Sequence, residues 1–155
     1  MAYNPGYNQR GGGRPYQQSM QQDKPQPIKP KALPTDYVTA AERVMEKVME
    51  KSADGNPITT TKLRGFLALV TNIYNEENLR TEKTLLKESQ IKLMRLRVRV
   101  VYDAGRDKDV KRFVTLSDML SYLADIGDDR EKMIRFSYYM EALVAYQRFL
   151  GGKEN

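Results

Sequence analysis

From Leu85 to Gly105 the chain runs without a proline, and without a glycine before its last position, while Leu85, Leu86, Ile91, Leu93, Met94, Leu96, Val98, Val100, Val101 and Tyr102 recur through it. Two periodicities compete for this run. Arg95 to Val100 alternates charged and apolar residues with period two and is rich in β-branched side chains, as a half-buried strand would be. The whole run, however, far exceeds a typical strand of roughly 5–6 residues. It also closes on Ala104-Gly105, the chemistry of a helix C-cap. A central helix beginning near Thr81 is therefore predicted. Wound at about 100° per residue, its apolar side chains cover most of the circumference, which predicts a rod packed from several sides. The polar strip that remains carries Lys92, Arg95, Arg99 and Arg106, flanked by Glu88 and Asp103. Arg97 falls in the apolar arc, where an unpaired charge is expensive to bury. Its head either snorkels to water or meets a carboxylate or a phosphate.

The flanking segments also read as helices. A first helix is predicted over Thr35 to Ser52, capped by Thr35 or Thr39 after Pro34, with Tyr37, Ala41, Val44, Met45 and Val48 inward. Asp54-Gly55-Asn56-Pro57 ends it with turn chemistry. Thr59-Thr60-Thr61 then opens a second helix whose core stripe is Leu63, Phe66, Leu67, Val70, Ile73 and Tyr74, with Gly65 marking close packing. Lys62 and Arg64 stand in its first turn, where helices prefer acids. Each opposes the macrodipole by about 0.3–1 kcal/mol, a cost that a bound anion reverses. Asn75 to Asn78 reads as an acidic break. Beyond Gly105, Val110 to Val114 is predicted as a short helix, and Thr115 with Asp118 caps another running to Ile126 before Gly127.

A last helix starts at Asp128 or Asp129 and reaches about Leu150. Its core face is Met133, Phe136, Tyr139, Met140, Leu143, Val144 and Tyr146. A second stripe of Ile134, Tyr138, Ala142, Ala145 and Phe149 either meets another subunit or packs on the first helix. The predicted fold is all-α: a compact bundle of about five to six helices over 35–155. Residues 1–34, rich in Gly, Gln, Asn, Pro and Tyr, hold too little apolar surface to offset roughly 1–2 kcal/mol of backbone entropy per residue, and are predicted disordered. Tyr3, Tyr7 and Tyr16 beside Arg10 and Arg14 either engage RNA as an RGG-type tail does or belong to an inert solubilising tail.

The net charge of +6 is unevenly spread: +4 over residues 1–34, −2 over 35–82, +6 over 83–112 and −2 from 113 onward. A local patch implies a directed contact with an anionic partner, or else a solvated face. The chain contains no cysteine and no histidine, which removes disulfides, thiolate chemistry, the commonest general base and the commonest zinc ligand. An enzyme is therefore not expected. Paired carboxylates such as Asp128 and Asp129 would serve an enzyme poorly, because adjacent residues point apart on a helix. Asp103, Asp107 and Asp109 are interleaved with Arg and Lys and read as a helix junction rather than a magnesium site. No cofactor or metal is expected. No apolar run approaches the roughly 20 residues of a membrane span, and the N-terminus has no signal-peptide core; a cytoplasmic chain is expected.

Three stretches, Thr59 to Arg64, Tyr102 to Arg106 and Tyr139 to Tyr146, give the sequence a likeness that anchors residues 58–150. In order and in helical placement they resemble the small helical subunit of type III-A CRISPR effector ribonucleoproteins, the Csm complex. The resemblance implies a non-catalytic bundle that stacks in several copies along the guide RNA–target RNA duplex, beside other subunits of the effector and neighbouring copies of itself. The cluster of Lys92, Arg95, Arg97 and Arg99 is richer in arginine than that family leads one to expect. The residues themselves nominate Lys62, Arg64, Lys92, Arg95, Arg97, Arg99 and Arg106 as contacts to RNA phosphates, blind to sequence. The alternative is a helical adaptor that touches only proteins.

Overall fold

The computed structural model describes residue 2 and residues 27–153, and among these it contains six helices and no strand. α1 spans Tyr37–Met49. It is capped by neither threonine but by Asp36, whose Oδ1 accepts the Thr39 amide at 3.0 Å. α2 spans Thr60–Glu77, and Thr59 caps it through the Lys62 amide. α2 runs on through the expected acidic break as far as Glu77. α3 spans Lys87–Arg106. Gly105 lies within it rather than capping it, and the turn falls on Asp107, whose side chain caps α4 (Lys108–Leu116) through the Asp109 and Val110 amides. α5 spans Met119–Ile126. The expected Thr115 cap is instead a residue of α4, and Asp118 precedes α5 in the left-handed region at φ 53° without a side-chain capping bond. Asp129 caps α6, Arg130–Phe149, through the Lys132 amide at 3.0 Å.

α6 packs on α1, α2 and α5, while α3 packs on α2, α4 and α5. Between them lies one core that includes Met45, Leu63, Phe66, Ile73, Leu96, Phe113, Phe136, Tyr139 and Leu143. Of the second stripe on α6, Tyr138 is 37% exposed but has partners within the chain. Its ring stacks on Tyr37 of α1 at 6.3 Å and meets Tyr74 of α2 edge-on at 5.9 Å. Ile134 and Ala142 are half-buried, and Ala145 and Phe149 are exposed.

Two features depart from the sequence expectation. First, α3 is packed on one side only. Ser89, Leu93, Leu96 and Val100 are buried, while Ile91, Met94, Val98, Val101 and Tyr102 form a row on the opposite side that is 46–69% exposed. Second, residues 27–34 are not without contacts. The Lys31 amide donates to the Ser121 carbonyl at 3.1 Å, Lys31 Nζ pairs with Asp118 at 2.8 Å, Arg135 donates to the Pro34 carbonyl at 2.8 Å, and Leu33 packs on the core. This strap crosses the bundle over α5 and α6. Tyr3, Arg10, Arg14 and the other residues of 3–26 lie outside the described residues.

Candidate nucleic-acid interface

Lys92, Arg95, Arg99 and Arg106 recur at spacings of three, four and seven residues, so they stand in one stripe along α3. Its C-terminal half faces the start of α2 across an open groove of about 400 Å3, into which Lys62, Arg99, Arg106, Asp103 and Asp107 converge. Gly65 lines this groove, and a β-carbon there would meet nothing within 4 Å; it marks open space rather than the close packing expected of it. Three bases of the stripe and groove already have carboxylate partners. Lys62 pairs with Asp107, Lys92 with Glu76 at 2.5 Å, and Arg99 with Asp103 at 2.9 Å. The Lys62 ammonium holds the Asp107 carboxyl below its usual range, and Asp103 raises the Arg99 guanidinium. Arg106 instead lies over the Tyr102 ring at 5.4 Å, a cation–π contact, and has no carboxylate partner among the described residues. Arg95 is exposed and has no carboxylate partner among the described residues.

The other two nominated residues stand apart. Arg64 is exposed on α2 but does not line the groove, and Arg97 lies across α3 from the stripe, on the rim of the outward apolar row. Arg97 is exposed, because the arc it projects from is itself exposed, and it has no carboxylate partner among the described residues. The three aspartates at the helix junction are each engaged separately. Asp103 pairs with Arg99, Asp107 caps α4 and pairs with Lys62, and Asp109 accepts the Asn56 amide at 2.8 Å.

Part of the charge counted in residues 83–112 is structural. Arg112 donates to the Val48, Lys47 and Glu50 carbonyls at 2.6–3.0 Å, closing the C-terminus of α1. A second charged cluster went unread in the sequence. Glu77 is fully buried; its carboxylate accepts the Leu86 amide at 2.9 Å and Arg80 Nη1 at 2.6 Å. Arg130 lies 3.8 Å from that carboxylate and donates to the Glu77 backbone carbonyl at 2.7 Å. Burial pushes the Glu77 carboxyl up, but the Ser89 hydroxyl, the Leu86 amide and Arg80 outweigh it and hold it below the ordinary range. The signal was present: Leu63, Phe66, Val70 and Ile73 set a stripe whose next position is Glu77.

A model of the type III-A Csm2 family matches residues 35–153. The chain belongs to that family. It is 40% identical over 119 residues to the CRISPR system Cms protein Csm2 of Mycobacterium tuberculosis, a match covering 77% of this chain and 94% of the relative. It is also 40% identical over 126 residues to the protein of the same name from Streptococcus thermophilus, covering 79% and 99%. With the Csm2 protein of Enterococcus italicus the identity is 31% over 96 residues, covering 61% and 69%. The Csm2 match takes in all seven nominated bases and the Glu77 cluster, but it begins after the strap at 27–34. No helix among the described residues is long and apolar enough to cross a membrane.

Proposed function

We propose that this chain is a non-catalytic structural subunit of a type III-A RNA-guided effector ribonucleoprotein, repeated along the guide RNA–target RNA duplex and holding it by phosphates. The observation that carries this reading is the α3 stripe. Among the described residues Arg95 and Arg106 have no carboxylate partner, and Arg99 and Lys62 stand beside the groove in pairs that are open to water. Such exposed pairs are worth only about 0–1 kcal/mol, so a phosphate competes for their cations at little cost. Arginine suits this task because its fork grips two phosphate oxygens at once. An A-form duplex offers backbone and 2′-hydroxyls rather than readable base edges, and base pairing supplies the specificity.

The chain has no histidine or cysteine to do chemistry with, and Ala145 and Phe149 on α6 offer apolar surface to neighbouring subunits or copies. Arg64 and Arg97 belong to different faces and form no part of this contact. A protein-only adaptor role in the cytoplasm is the second reading, favoured by the carboxylates that already partner Lys62, Lys92 and Arg99. The test is to purify the tagged full chain from its host at low salt. A short processed RNA and larger partner proteins accompany it if the proposal holds; partners without RNA contact, shown by loss of nothing on RNase treatment and no crosslink from this chain to RNA, overturn it in favour of the adaptor.

A further inference from the structure

The outward row of α3 is an apolar face left uncovered on the described molecule: Ile91, Met94, Val98, Val101 and Tyr102 are all 46% or more exposed. With Leu120 of α5, Met94, Val98, Val101 and Tyr102 of this row form a groove of about 570 Å3 with Arg97 on its rim. One further side chain already lines the groove, and it comes from the strap: Ile28. The strap is held in place by Lys31 on Asp118 and Ser121, by Leu33 in the core, and by Arg135 on Pro34. The strap thereby brings Ile28, two residues after the N-terminal segment, to the groove.

That upstream chain suits the surface. Residues 16–26 bring Tyr16, Met20 and Pro25, and Asp23 is the one acid in the first 34 residues. Asp23 and Lys24 cancel, so this stretch brings no net charge to an arginine-flanked face. Eleven residues reach at most about 36–40 Å, while a helix of 20 residues such as α3 is about 30 Å long. Tethering also raises the effective concentration of the segment to about the millimolar range, so a contact too weak for a free peptide is populated. A second copy is a poorer occupant: pairing two such faces sets Arg95, Arg97 and Arg99 against their own counterparts.

We infer that residues 16–26 lie along the outer face of α3 in the free chain, Tyr16 and Met20 covering Val98 and its neighbours and Asp23 beside Arg97. The groove borders the Arg95–Arg106 stripe at Tyr102, on whose ring Arg106 lies, whereas Arg97 and the reporter positions Val98 and Val101 stand away from it, so labelling there reads the tail contact rather than the RNA contact.

The chain lacks cysteine, so a single introduced thiol reports exposure directly. Val98→Cys, with Val101→Cys as a second reporter, is labelled with a maleimide in the full chain, with and without the paired changes Tyr16→Ser and Met20→Ser. Leu79→Cys, at a site 87% exposed in the α2–α3 connection, is the control. Labelling at 98 and 101 is expected to speed up about ten-fold when the tail changes are made, the factor given by a docked-to-free ratio of about ten. The rates stay independent of protein concentration, and the control does not move. Equal rates with and without the tail changes overturn the inference. So does protection that depends on protein concentration and ignores the tail, which assigns the face to a second copy.

Discussion

Two clusters in this molecule pair arginine with carboxylate, and they are built for opposite purposes. At the α2–α3 connection, Glu77 has no exposed side-chain surface and receives Arg80 and the Leu86 amide, with Arg130 behind it. On the α3 stripe, Arg99 meets Asp103 with 63% and 23% of their side chains exposed, one turn apart on the same helix. In the first cluster the carboxylate has given up its water, so it depends on its arginines and the amide. The second has kept its water, so either member is free to exchange partners. Burial separates the charge that holds the fold from the charge available to a ligand.

The comparison breaks first at Glu77. Glu77→Ala removes the acceptor from beneath two arginines and an amide, and is expected to cost about 3–5 kcal/mol in denaturant unfolding. A loss below 1 kcal/mol would place Glu77 with the surface pairs. Its protonation gives a second signature. Because its carboxyl is held below the ordinary 4.5 when folded, the folded chain takes up this proton less readily than the unfolded chain. The stability it contributes is therefore complete above the ordinary value and is lost as pH falls through the depressed one. Glu77→Gln should flatten that acid limb of the stability–pH curve, and an unchanged limb would assign the limb to other carboxylates.

Arg112 sharpens the contrast from the basic side. It contributes to the same sequence block as the α3 stripe yet spends its donors on three carbonyls at the end of α1. Arg112→Ala should cost about 1.5–3 kcal/mol in thermal or denaturant unfolding, whereas Arg99→Ala should stay within about 0.5 kcal/mol. Equal losses would erase the distinction. The smallest effect is a gain: Asp103→Asn releases Arg99, and RNA affinity should rise about two-fold, the equivalent of a surface pair worth a few tenths of a kcal/mol. Weaker binding would mean that Asp103 orients Arg99 rather than competing for it.

The helices were legible because period and caps agree: the stripe Leu63, Phe66, Val70, Ile73 gave α2, and Asp129 and Gly127 bracketed the start of α6. Helix C-termini were less so. Gly105 offered a cap, but Asp107 satisfies the start of α4 two residues later and the helix runs on to it. The outward row of α3 was misassigned because periodicity counts apolar residues without knowing which side a neighbour occupies. The row lies opposite the side that α2, α4 and α5 cover. For the candidate site, the stripe Lys92, Arg95, Arg99 and Arg106 was legible from spacing alone. Spacing along one helix says nothing of carboxylates on another, so the partners of Lys92 and Lys62 appeared only with Glu76 and Asp107 in place. Arg64 and Arg97 were drawn in by charge and proximity in sequence, and their helical angles take them elsewhere.

The most direct test of the central claim is the salt dependence of binding to a guide–target RNA duplex, measured for the unmodified chain and for the Arg95→Ala, Arg106→Ala double variant. The account predicts that the slope of log affinity against log salt falls by about 0.7–0.9 for each of the two phosphate contacts removed. An unchanged slope in a variant that unfolds at the unmodified midpoint would contradict it.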